Sequence, residues 1–233
     1  MKVQKSTGGE KMKKKIPKIM VLLLLVPAMC QATVIQIGFT GVVDLVGDSY
    51  NLLENGVQAG DSISGFYIYD SETPDSEPEG LMSIGWYQHT TAPYGISLTI
   101  GTLTFQTNPA NVNFMIGISN NYDGASLDVY GVASYNNLEL DNGTIVDEFG
   151  LRFDDYSGTA LSSDALLPIP LELSQWESKG LGIHGSGYPS PPIEGDKSVP
   201  FSIIGHIDSV WLVPEPTTLL LFGLGGLFLR KRS

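Results

Sequence analysis

The chain has 233 residues, 42% of them hydrophobic and 16% charged, with a formal net charge of −12 and one cysteine. Of its 25 acidic residues, 23 lie between Thr33 and Leu212, where Arg152, Lys179 and Lys197 are the sole cations, a net charge of −20. That balance excludes nucleic-acid binding, because no basic patch exists to displace phosphate counterions. A single Cys30 likewise excludes a disulfide framework or a thiolate metal site.

The N-terminus reads as a secretory signal over residues 1–32. Residues 12–18 (MKKKIPK) form a basic region, and residues 19–29 form an apolar run of eleven, too short to span a bilayer comfortably. Cys30-Gln31-Ala32 then offers small residues at the first and third positions, so cleavage is expected between Ala32 and Thr33. The residues before Met12 are mostly polar, and Met12 is an alternative start. Met29 stands where a lipoprotein signal carries a small residue, which argues against lipidation of Cys30.

Residues 33–212 are long enough for one domain with a sizeable core. Ile35, Ile37 and Phe39 alternate with polar or small residues, as do Ile63, Phe66 and Ile68. Further strands are predicted over 81–89, 94–100, 103–107, 112–118, 126–133, 138–140, 149–153 and 198–213. Turn residues separate them: Asn55-Gly56, Pro74-Asp75, Asn108-Pro109, Asp123-Gly124 and Asp141-Asn142-Gly143. The expected fold is all-β, an antiparallel β-sandwich or jelly-roll-like single domain. A short helix is expected near residues 174–179, and Gly180, Gly182 and Gly185 are expected in a flexible loop. Residues 71–80 and 185–197 read as surface loops.

After the domain comes a tail, 213–233, in three parts. Pro214-Glu215-Pro216 is extended and accessible, because both prolines fix φ and Pro216 disfavours helix at Glu215. Residues 217–229 are a Leu/Gly-rich helical run of roughly 20 Å, short of a ~30 Å hydrocarbon core. Arg230, Lys231 and Arg232 follow, placed to stay cytoplasmic. In this order the tail resembles a PEP-CTERM sorting signal, and residues 204–210 look like the strand that leads into such motifs. The resemblance implies recognition of Pro214, Glu215 and Pro216 by an exosortase, transient attachment to the inner membrane, and delivery to the cell surface or extracellular matrix. It also implies an exopolysaccharide or biofilm context, with exopolysaccharide itself as a partner.

Candidate chemistry in the domain is thin. Gly60-Asp61-Ser62-Ile63 resembles the nucleophile block of GDSL-type hydrolases, but His89, His184 and His206 lack the partnering Asp three residues earlier. Asp154-Asp155 and Asp147-Glu148 are carboxylate pairs of the kind a glycosidase needs. Trp86, Tyr87, Tyr94, Trp176 and Trp211 are candidates for stacking on sugars, with core packing as the competing role. Asp70, Glu72, Asp75, Glu77 and Glu79 place five carboxylates within ten residues, and calcium is the cation such an external loop would take. No other cofactor is implied. The expected function is non-enzymatic: an exported surface or matrix protein of structural or adhesive role. A carbohydrate-binding module is the alternative, and a secreted glycosidase comes behind it.

Overall fold

The computed structural model describes residues 34–78, 83–167, 171–190 and 197–214. The signal region, Ala32, Thr33, Glu79, Glu215, Pro216 and the tail cluster Arg230, Lys231 and Arg232 lie outside them. Among the described residues there are ten antiparallel strands: β1 (Val34–Gly47), β2 (Ser62–Asp70), β3 (Ile84–His89), β4 (Gly95–Ile100), β5 (Leu103–Gln106), β6 (Phe114–Ser119), β7 (Asp128–Ser134), β8 (Ile145–Asp155), β9 (Ser178–Gly187) and β10 (Val199–Leu212). They form one continuous sheet in the order β3-β6-β7-β8-β9-β10-β1-β2-β4-β5. The all-β antiparallel expectation therefore holds, and its two layers are a single sheet curled onto itself.

Period-two burial explains the curl. Along β7, Asp128, Tyr130, Val132 and Ser134 are buried while the residues between them are partly exposed. The buried face of the β1-β2-β4-β5 half closes on that of the β6-β9 half. The Tyr67 and Tyr130 hydroxyls meet at 3.2 Å, the Phe105 and Phe149 rings lie 6.4 Å apart, and the Thr107 and Ser134 hydroxyls approach to 2.8 Å. Burial pushes both tyrosine hydroxyls well above their ordinary pKa, so both stay neutral and share one bond. A bridge between Thr107 and Asn137 closes the seam.

Three expectations are corrected. Gly180, Gly182 and Gly185 belong not to a loop but to β9, hydrogen-bonded to β8 on one side and β10 on the other. The expected helix near 174–179 is one 3-10 turn, Leu173–Gln175, followed by buried Trp176. Leu138 to Leu140 is not a strand; it leads into a turn in which Gly143 N–H donates to the Leu140 carbonyl. In β9 local propensity yielded to pairing partners distant in sequence, whereas at Leu138 to Leu140 a local turn displaced the strand.

Candidate functional site

The predicted acidic residues act mainly on their own backbone. One Asp70 oxygen accepts from the Glu72 N–H, and the other from the Tyr94 hydroxyl. Asp75 accepts from the N–H groups of Glu77 and Trp86, while Ser76 N–H donates to the Trp86 carbonyl. The acidic loop thus covers the free edge of β3, an edge that would otherwise invite pairing. Glu72 and Glu77 point to solvent. Among the described residues no three Asp, Glu, His or Cys side chains converge to hold a metal ion.

The Asp154-Asp155 pair is also occupied. Asp154 receives the Arg152 guanidinium at 2.8 Å, which raises the arginine pKa further. Buried Asp155 accepts from the N–H groups of Ser157, Thr159 and Ala160 and from the Ser157 hydroxyl; these bonds hold its pKa far below the usual carboxylate range. Beside it, buried Asp128 accepts from Asn121 and Leu161 N–H groups. Ser62 merely starts β2, and Asp61 accepts from the Gln58 N–H.

The histidines are dispersed. Buried His89 accepts the Asp70 N–H at Nε2, leaving its proton on Nδ1 without a partner, and burial lowers its pKa. Exposed His206 sits between Asp44 and Asp208, 2.7 and 3.5 Å away. His184 is exposed on β9.

The tryptophans separate cleanly. Trp176 is core, edge-on to Phe153 at 6.1 Å. Trp211 is exposed over Gly38, where a Cβ would fall 2.5 Å from the indole. Trp86 lies over Gly117, with a Cβ there only 2.6 Å from the ring, and borders a groove of about 660 Å³ on the outward face of β3 and β6–β10.

The sheet register builds this groove. Trp86, Gly117, Gly131, Arg152 and Gly180 form one row across the strands; Met115, Ala133, Gly150, Gly182 and Ile204 form the next. Small residues thus make the floor. A Cβ on Gly131, Gly180 or Gly182 would meet nothing nearer than 3.7 Å, so internal packing does not demand glycine there. Tyr122, Tyr135, Glu148, Arg152 and His184 stand around the floor as exposed side chains. A bulge between Val146 and Glu148 turns Glu148 onto this face, and the Asn137 amide donates to both the Val146 and Asp147 carbonyls that frame it. Burial, and secondarily the Glu148 charge, raise the Tyr135 pKa, keeping its hydroxyl a donor.

Of the groove, the sequence points to Trp86, Glu148 and His184, and places Gly180 and Gly182 in a loop. It missed Tyr135, Tyr122 and the glycine floor, because a shared row on adjacent strands exists only once register is set. Small residues alternating with core residues in β6 and β7 were the one available signal.

At the other end of β10, Val213 N–H donates to the Gln36 carbonyl and Leu212 pairs with Ile37. The Pro-Glu-Pro segment therefore begins two residues beyond the last strand residue. Residues 212–233 match the PEP-CTERM protein-sorting motif, an exosortase-type signal that directs an exported protein to the cell surface. No curated protein and no solved structure matches the chain.

Proposed function

We propose that this exported, cell-surface-directed protein is held briefly in the inner membrane by residues 217–229, released by an exosortase-type enzyme at Pro214, Glu215 and Pro216, and retained without catalysis as an adhesive component of an exopolysaccharide or biofilm matrix. The groove over β6–β9 is the surface that meets the polysaccharide. The observation carrying this reading is its open glycine floor beside Trp86 and Tyr135. Flat aromatic faces suit the apolar faces of sugar rings, and the Glu148, Arg152 and His184 side chains suit hydroxyls. The domain's strong negative charge favours a neutral polymer over an anionic one.

Binding is favoured over hydrolysis because Glu148 is the sole carboxylate among the described residues lining the groove. Glycoside hydrolysis usually takes two, roughly 5–9.5 Å apart. Affinity electrophoresis through gels containing the host's matrix polysaccharide tests the reading. The wild type is expected to be retarded and the Trp86→Ala/Tyr135→Ala variant not. Equal mobility of the wild type with and without polysaccharide overturns the adhesive role, and release of reducing ends overturns the non-catalytic one. Processing is read separately, as intact mass of surface-released protein from hosts with and without the exosortase; a tail retained through Ser233 in both refutes it.

A further inference from the structure

The sheet end from which the tail departs has a surface of its own. In the outward row through Gly38, Phe66 lies on one side and Trp211 on the other. One row nearer the end come Gln36 and Ile68, and then Val34 beside Asp70. On this face Val34, Phe66 and Trp211 are 37%, 38% and 43% exposed, whereas Leu212, paired with inward-facing Ile37, belongs to the other face. One row further from the end the surface turns polar: Ser64, Thr40 and Ser209 align, with the Thr40 and Ser209 hydroxyls 2.6 Å apart. Single exposed hydrophobics are ordinary, but Phe66 and Trp211 flank one glycine, Ile68 and Val34 follow in the next two rows toward the end, and the set stops at a hydroxyl row.

What covers them follows from chain length. The apolar run starts at Thr217, three residues beyond Pro214. Fully extended, three residues reach at most about 11 Å. The upstream apolar run ends at Met29, five residues before Val34, and Val34 lies on the strand paired with β10. Val34 and Pro214 lie at the same end of the sheet. While residues 217–229 sit in a bilayer, the Trp211 end cannot be far from its surface.

We propose that this end of the β1/β10 pair is a lipid-contact surface, with Trp211, Phe66 and Val34 resting in the headgroup region of the membrane while the tail is inserted. This rests on the reading that the tail enters the membrane before processing. Indole rings favour that interfacial zone, where an apolar ring and a polar N–H are both accommodated. The nearest charge is acidic: Asp70 shares the Val34 row, and Glu72 follows it. The surface therefore suits zwitterionic lipid, and anionic lipid weakens the contact. Such contact would hold the Pro-Glu-Pro segment flat against the bilayer, within reach of a membrane-embedded enzyme.

The test uses the full chain reconstituted into phosphatidylcholine vesicles with brominated acyl chains. Flotation reports whether the tail is inserted, and quenching of tryptophan emission reports the contact. With three tryptophans in the chain, Trp211→Phe and Trp86→Phe assign the signal. Flotation of all forms is expected, with quenching in wild type and Trp86→Phe, loss of quenching in Trp211→Phe, and reduced quenching once phosphatidylglycerol is added. Flotation with no quenching attributable to Trp211 overturns the contact while leaving insertion intact. Crosslinked dimers through this face in floated vesicles likewise overturn it, with a second copy as occupant. Absence of flotation overturns the insertion reading and the contact with it.

Discussion

Two parts of the sheet's surface treat glycine in opposite ways. Across β1, β2 and β10 the strand glycines are covered: Trp211 lies on Gly38, a Cβ on Gly65 would fall 2.6 Å from the Phe39 ring and 2.7 Å from Leu98 Cβ, and Ile63 Cδ1 comes within 2.7 Å of where a Gly205 Cβ would stand. Over β7 and β9, Gly131, Gly180 and Gly182 have no such neighbour. Gly65 and Gly205 are glycine because inward-facing side chains fill the space, and Gly38 because an exposed indole lies on it; the second set is glycine although nothing nearby requires it. Residue type alone does not separate a packing glycine from one that keeps a surface low. The space above it does.

The sharpest way to break the contrast uses the tryptophans. Trp176→Ala should cost about 3–5 kcal/mol, since it empties a core site against Phe153. Trp86→Ala should barely move the midpoint of urea unfolding while abolishing retardation by polysaccharide. Equal destabilisation by both would mean that the groove wall is core.

Next in size are the covered glycines. Gly65→Val forces branched carbons into Phe39 and Leu98 and should destabilise by about 1–3 kcal/mol or more, read in the same unfolding experiment.

Acid should then separate two buried groups. His89 is buried neutral with its pKa lowered, so its contribution is complete above the unfolded value of about 6.5 and is lost as pH falls through the lower folded value. Asp155 is shifted the same way about a lower reference, so its contribution stays complete down to about pH 4 and is lost only in stronger acid. The thermal midpoint of the wild type should fall between pH 7 and 5, and His89→Gln should flatten that part of the profile without changing the more acidic limb. An unchanged slope in His89→Gln removes the histidine from the account.

The smallest effect is the most telling. Gly131→Ala and Gly182→Ala should leave stability unchanged or raise it by roughly 0.5–1 kcal/mol, because the unfolded chain loses freedom and nothing clashes. Both should still weaken polysaccharide binding by raising the floor. Loss of stability would place them with the packing glycines.

Much of the fold was legible from alternation: the β1, β2 and β4 patterns repeat every second residue because one face is core. Strand β9 was not, since three glycines within residues 180–185 lower its propensity, and its partners Ile145–Asp155 and Val199–Leu212 are set by register. The candidate site was legible only in fragments. Trp86 and Glu148 carry visible chemistry, but the bulge that turns Glu148 outward depends on an Asn137 amide ten residues away.

By itself the sequence determined the C-terminal sorting motif, the acidic charge and the all-β class. A sorting motif is linear, and alternation is local, so both survive without a fold. The tertiary structure decided which tryptophan is core, which acids merely hold loops, which glycines lie open, and that Val34 and Pro214 share one end of the sheet. Those depend on register between strands far apart in the chain, which no local pattern encodes.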